Sequence, residues 1–259
     1  MPTPVPLLVF TDLDGTLIDH HSYDWTPATP ALKAIKSIGG GIILASSKSA
    51  PEIQKLRAAL DLSDWPAIVE NGAGTLRPGS DSKANSIEYQ KIRSILAKIP
   101  STLRQHFTGF GDLTTDEVVA ATGLPRQDAR QAKARSFSEP GTWTGTNADR
   151  QAFEDALKPH GITAREGGRF LTLSFGCQKS DQMAAIIDQY KPGTTIALGD
   201  APNDVEMLEA ADFGVIINNP ERSPLPPLQA EAEGRIIRTT QSGPTGWNIA
   251  MLDLLKRLE

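Results

Sequence analysis

Asp12 and Asp14, one residue apart in the segment Asp12-Leu-Asp14-Gly-Thr16, are the residues whose types and spacing speak most directly of chemistry. They follow the apolar run Leu7-Leu8-Val9-Phe10, which reads as a buried strand. Two carboxylates at the end of such a strand are costly unless they serve a cation or a reaction. Residues two apart on an extended chain point the same way. One carboxylate can therefore attack phosphorus while the other exchanges a proton with the leaving oxygen. An aspartate in a β-to-α turn also caps helices for ordinary reasons, so the assignment depends on what else converges there.

Three more segments do. Ser46-Ser47-Lys48 follows the apolar run Ile42–Ala45, and Gly199-Asp200-Ala-Pro-Asn203-Asp204 follows Thr194–Leu198. Lys179 opens a helix expected over Ser180–Tyr190, an unfavourable end of the helix dipole for a cation unless an anion binds there. In a parallel sheet all these strand ends lie on one edge, where ligands bind.

The elements that must position them alternate in a βαβα manner. Strands are expected at Leu7–Thr11, Ile42–Ala45 and Ala67–Val69, with helices at Thr29–Ile38 and Pro51–Leu60 between them. The triple glycine Gly39-Gly40-Gly41 precedes a strand and reads as a helix stop. From Pro78 to Phe175 the texture changes to helices at Glu88–Ile99, Thr114–Thr122, Pro125–Ala134 and Asp149–Leu157, with shorter, more polar strands at Ala134–Glu139 and Phe170–Phe175. The apolar-strand pattern then resumes, with a further strand at Gly214–Ile217 and a closing amphipathic helix at Ile249–Leu258. The fold class is α/β: a parallel-sheet core formed by residues 1–82 and 176–259, interrupted by an α+β insertion over 83–175. The stretch Asn218–Pro227 reads as a surface loop.

A net charge of −5 offers no general attraction to nucleic acid or anionic membrane. The single cysteine, Cys177, excludes an internal disulfide and a cysteine-rich metal site. The N-terminal residues carry no signal-peptide pattern and nothing approaches a membrane span, so a cytoplasmic location is expected. The four histidines share no metal-ligand spacing beyond the adjacent pair His20-His21.

Taken together, these segments resemble the four motifs of the haloacid dehalogenase superfamily, in order and across nearly the full chain. Within it the chain is similar to the mannosyl-3-phosphoglycerate phosphatase family, in the Cof-type class with a large cap inserted after the third strand. The narrower resemblance rests on Thr11–Ile18 with Tyr23, Ser46-Ser47-Lys48-Ser49, Glu70-Asn71-Gly72, Arg135-Ser-Phe-Ser138-Glu139-Pro140, Gly167-Gly168-Arg169-Phe170 and Gly199–Asp204. Two departures stand out: Gln178-Lys179-Ser180 replaces the usual Asp-Lys-Gly, and Gly141 replaces an aromatic residue after Ser-Glu-Pro.

The resemblance implies a Rossmann-like core, Mg²⁺ dependence and hydrolysis of a phosphomonoester through an aspartyl phosphate. Asp12 would be nucleophile and metal ligand, Asp14 the acid–base group and a carbonyl ligand, and Asp200 a metal ligand with Asp204 supporting the metal. Ser46 would donate to a phosphoryl oxygen and Lys179 neutralise its charge. Such neutralisation is what lets an anionic aspartate approach a phosphate dianion. Ser47, Lys48, Asn71, Arg135, Ser138, Glu139, Arg169 and Asn203 would contact the substrate, a phosphorylated sugar or glycosyl phosphoglycerate. Sucrose phosphate, trehalose phosphate and hexose phosphates are alternative substrates, and a phosphomannomutase-like enzyme an alternative activity.

Overall fold

A computed structural model of the chain describes residues 5–80, 86–167 and 169–258. In chain order its elements are β1 (Leu7–Thr11), α1 (Thr29–Ser37), β2 (Gly41–Leu44), α2 (Ala50–Ala59), β3 (Ala67–Val69), β4 (Gly74–Leu76), α3 (Ile87–Leu96) and α4 (Ser101–Arg104). They continue with β5 (Phe107–Gly109), α5 (Thr115–Thr122), α6 (Arg126–Lys133), β6 (Ser138–Trp143), α7 (Asn147–Leu157), β7 (Thr163–Gly167) and β8 (Phe170–Ser174). The chain closes with α8 (Lys179–Tyr190), β9 (Thr194–Gly199), α9 (Val205–Ala210), β10 (Phe213–Asn218), α10 (Gln229–Ala232), β11 (Ile236–Ser242) and α11 (Gly243–Leu258).

The central sheet runs β11-β10-β9-β1-β2 with every neighbour parallel. Strands β1, β2, β9 and β10 are largely apolar runs because both faces are covered. Leu7 and Val9 pack into a cluster with Leu32, Ile35, Trp247 and Met251 from α1 and α11. Leu8 and Phe10, on the opposite face, pack with Met183, Ile186 and Met207 from α8 and α9. A bridge from Ala45 to Ile68 attaches β3, which then turns back antiparallel onto β4. Strand β1 occupies the expected five residues, and β9 extends one residue further to Gly199.

The second sheet is antiparallel, in the order β5-β6-β8-β7. One face packs on α3 and α7 through Ile92, Ile95, Phe107, Phe153, Leu171 and Leu173. Helices α5 and α6 form a smaller cluster with Phe110 and Phe170. The expected boundary between residues 82 and 83 lies outside the described residues; the return path passes Gly176, at φ +89, before α8 begins.

The strand expected at Ala134–Glu139 lies instead at Ser138–Trp143. Residues 134–137 are a connector because their polar groups are satisfied by the core, as described below. Strands β4, β5, β7 and β11 are additions to the expected set; they are short or polar and carry little apolar signal. Helix α11 starts at Gly243, six residues before the expected Ile249, despite Pro244 and Gly246 in its first turn. Trp247 there is fully buried and donates to Thr11 Oγ1 at 3.0 Å, bracing the strand end that carries Asp12.

Candidate active site

The loops after β1, β2, β3 and β9 meet at one edge of the central sheet, together with the start of α8. Lys179 is 2% exposed, and its Nζ lies 2.7 Å from both Asp12 Oδ1 and Asp204 Oδ1. Asp204 Oδ2 accepts from the amides of Asp200 (3.2 Å) and Ala201 (3.1 Å), so both of its oxygens are engaged. Asp200 Oδ1 accepts from Thr16 Oγ1 at 2.9 Å and its Oδ2 from Asn219 Nδ2 at 2.7 Å. The Arg222 guanidinium stands 3.6 Å from the same Oδ2.

Close approach here depends on Gly15. Its φ is +83, and a Cβ on it would come within 2.4 Å of Asn219 Nδ2 and 3.3 Å of Asp200 Oδ2. A side chain at that position would be strained at this φ and would displace the Asn219 amide from Asp200.

Carboxylate oxygens of Asp12, Asp200 and Asp204 lie within 4.8 Å of one another, all buried. Three acidic groups gather beside one buried lysine, and Asp12 and Asp200 are shifted toward the neutral form. Burial pushes Asp12 up to about 8; Lys179 pulls it down, while Asp204 and Asp200 raise it. Burial raises Asp200 as well, opposed by the hydrogen bonds from Asn219 and Thr16. For Lys179 burial works against the charge, yet Asp12 and Asp204 outweigh it and hold the ammonium above its usual range. An all-oxygen donor set with surplus negative charge fits a hard divalent cation such as Mg²⁺. Asp12, Asp200 and Asp204 are the carboxylates whose oxygens could hold it.

Asp14 and Lys48 face the adjoining cleft, their side chains paired at 2.8 Å. Burial lowers the Lys48 pKa, but Asp14 and Glu52 more than reverse this, so the ammonium stays charged. Ser46 is buried, and its Oγ accepts from the Lys48 amide at 3.2 Å. Asn71 bridges to Asn203 at 3.0 Å, joining the loops after β3 and β9.

The cleft, of about 590 Å³, lies between this edge and the open face of the antiparallel sheet. Ser47, Lys48, Asn71, Arg135 and Arg169 all line it, with Pro140 and Thr172 as its roof. Arg169 is exposed and donates to Thr122 O at 2.9 Å. Ser138 is fully buried against Glu70 and Arg135.

Glu139 is not in the cleft. Its partner in register is Leu173, on the helix-facing side of the sheet, whereas Pro140 pairs with Thr172 on the cleft side. Directly opposed residues share a face, so Glu139 points toward α3. There it is 0% exposed, 3.1 Å from Arg93 Nη1, and accepts from the Gly111 amide at 2.7 Å. Burial raises its pKa against those contacts. Substrate contact by Glu139 is thus replaced by a buried structural role.

Three residues reach the site without having been expected there. Thr16 lies within the aspartate motif itself. Asn219 and Arg222 come from the stretch that reads as a surface loop, and only the close approach over Gly15 brings them to Asp200. Glu70, quoted above only as part of a motif, is fully buried between core and insertion.

A doubly covered parallel sheet with acidic loops gathered at one edge is the framework of an α/β enzyme. Residues 7–212 match the haloacid dehalogenase-like hydrolases, and the chain belongs to that family. Solved structures share the fold over nearly the whole length. A haloalkanoate-superfamily phosphatase from Bacteroides thetaiotaomicron aligns with a TM-score of 0.65 at 18% identity, covering 98% of this chain and 95% of its own. The sucrose-phosphatase of Synechocystis sp. PCC6803, solved with sucrose and phosphate, aligns at 0.62 and 14% identity, covering 98% of both chains. A sugar phosphatase of subclass IIB aligns at 0.62 and 17% identity, covering 95% of this chain and 98% of that one. Among the described residues no helix is long and apolar enough to cross a membrane.

Proposed function

We propose that this hydrolase is a Mg²⁺-dependent phosphatase of phosphorylated sugars, with mannosyl-3-phosphoglycerate or its glucosyl counterpart as the first candidate substrate. The observation that carries this reading is Lys179 held between Asp12 and Asp204, with Asp200 beside them. A carboxylate nucleophile, a buried cation and an acidic metal pocket meet at the floor of a cleft. When bound, Mg²⁺ supplies charge neutralisation for the attack.

In this reading the Asp12 carboxylate attacks phosphorus and the bond to the sugar-side oxygen breaks. Asp14 gives that oxygen its proton. Asp14 then takes a proton from water, which attacks phosphorus and releases Asp12 and inorganic phosphate. Lys179 and Ser46 support the phosphoryl oxygens. The rest of the substrate lies against Lys48, Arg135, Arg169 and Arg222 in the cleft, cations suited to a carboxylate-bearing leaving group. A cleft of this size accommodates a small-molecule ligand of glycosyl phosphoglycerate dimensions. The insertion acts as the specificity cap, the sugar ester is the expected partner, and the setting is the cytoplasm.

The fold shared with sucrose-phosphatase supports a second reading, in which the substrate is a sucrose, trehalose or hexose phosphate. A phosphate-release assay across both glycosyl phosphoglycerates, these three sugar phosphates and p-nitrophenyl phosphate decides between them. Highest kcat/KM on a glycosyl phosphoglycerate supports the first reading, and on a plain sugar phosphate the second. Phosphate release that needs a bisphosphate activator would point to a mutase instead.

A further inference from the structure

The turn Glu70-Asn71-Gly72 is the most strained backbone near the site. Glu70, Asn71 and Gly72 follow one another at φ +53, +60 and +91, and only the last is a glycine. Left-handed φ at non-glycine residues persists where the surroundings over-determine it, commonly at functional sites. Here the surroundings are the loops after β2 and β9 and the start of α8. The Glu70 amide donates to Lys48 O at 3.0 Å and the Asn71 amide to Ser46 O at 2.9 Å. The Asn71 side chain holds Asn203. Gly72 lies so close to the start of α8 that a Cβ would fall 2.1 Å from the Gln178 carbonyl carbon.

The Glu70 side chain points the other way, into the insertion. It is 1% exposed, yet it belongs to the core. Its Oε1 accepts from the Ser136 amide at 2.8 Å, and its Oε2 from the Phe137 amide at 3.0 Å and Ser138 Oγ at 2.7 Å. Arg135 Nε faces Oε2 at 3.4 Å. Arg135 Nη2 donates to Ser47 O at 3.1 Å and to Ser138 Oγ at 3.0 Å. Core groups thus take the Nε and Nη2 side of this guanidinium, on the wall of the cleft.

We propose that Glu70 is a positioning residue for substrate specificity: by seating residues 136–138, it fixes the Arg135 guanidinium over the cleft to bind the polar, oxygen-bearing leaving group. The inference rests on the phosphatase reading and adds to it the residue that sets leaving-group selection. Glu70 touches none of the phosphoryl-site side chains, so its effect runs through Arg135. A carboxylate is needed because one planar group must accept from two successive amides and a hydroxyl while its charge faces a guanidinium. Such charge-assisted bonds are the strong ones.

The test is a double-mutant cycle on kcat/KM. The substrates are the sugar ester that wild type uses best, among mannosyl-3-phosphoglycerate, sucrose 6-phosphate and glucose 6-phosphate, and the aryl ester p-nitrophenyl phosphate. Glu70→Gln should lower kcat/KM for the sugar ester by at least ~10-fold, mainly through KM, and leave the aryl ester within ~3-fold. In an Arg135→Ala background the same change should add less than ~2-fold, because the two residues act as one unit. Glu70→Asp should recover part of the loss. Equal losses on both esters, or a further ~10-fold loss in the Arg135→Ala background, would overturn the positioning role and leave the phosphatase reading intact. Wild type releasing phosphate from neither ester would overturn both.

Discussion

Lys48 Nζ stands 2.8 Å from Asp14 Oδ2, on the cleft side of the carboxylate, and also over the Tyr23 ring at 5.3 Å from its centroid. In the proposed mechanism Lys48 is thus the ionic partner of the acid–base carboxylate. Lys48→Met should lower kcat/KM by ~10- to 100-fold, as expected for losing an oriented charge beside a general acid. Steady-state kinetics would check this; an unchanged kcat/KM would mean that Asp14 needs no partner.

Asp12→Asn keeps the size of the side chain and removes the charge that attacks. Turnover should fall by at least ~10³-fold in a folded protein, in line with losing covalent catalysis. Exhaustive chelation should abolish activity and Mg²⁺ restore it, with Ca²⁺ inhibiting because its looser coordination shell misplaces the attacking oxygen. Asp200→Ala should raise the Mg²⁺ concentration needed for any residual rate. Full activity after chelation would remove Asp200 from the metal site.

Arg169 and Glu139 separate recognition from support. Arg169→Ala should change the melting temperature little, since its bond to Thr122 O is solvent-exposed, and weaken use of the preferred sugar phosphate by ~10-fold or more. Glu139→Ala should instead lower the melting temperature by several degrees, because Arg93 and the Gly111 amide lose a buried partner. Its effect on both esters should be alike. Differential scanning fluorimetry beside the two kinetic assays makes the comparison, and a selective loss in Glu139→Ala would return that residue to the substrate.

Asp112 provides a pH readout of the insertion. It accepts from Arg93 and Arg104, both at 2.6 Å, and from the Gly109 amide at 2.8 Å. Burial would raise its pKa, but the arginines and the amide outweigh it and hold the carboxyl below its ordinary value. A depressed carboxyl adds stability that is fully present above the unfolded value of about 4 and is lost as pH falls through the folded one. Asp112→Asn should thus lower the melting temperature at pH 7, and the gap to wild type should narrow as pH drops below ~4. A gap independent of pH would show a steric effect.

The parts of the site that follow an apolar strand were legible in the sequence. β1 and β9 announce themselves by continuous burial, and the carboxylates at their ends need a reason to be there. Asn219 and Arg222 were not legible, because a polar, proline-rich stretch looks like solvent-facing loop until the fold brings it against Gly15 and Asp200. Glu139 was misplaced for a different reason. Residue type suggested a sugar contact, but its face is decided by strand register, which a single sequence does not fix when the strand itself is four residues out. Residues 134–137 look extended but bend at Ser136 and Phe137, whose amides bond the Glu70 carboxylate, a tertiary contact with no local signal.

Lys179 lies 167 residues beyond Asp12 in the chain. At ribosomal speeds of about 5–20 residues per second, the first strand waits on the order of ten seconds or more for the lysine. The β9 partner that closes its other edge emerges later still. Through that interval the β1 edge that β9 will cover stays unpaired, while the whole antiparallel sheet is synthesised. The time taken to translate the insertion therefore sets how long an apolar strand edge waits for its partner.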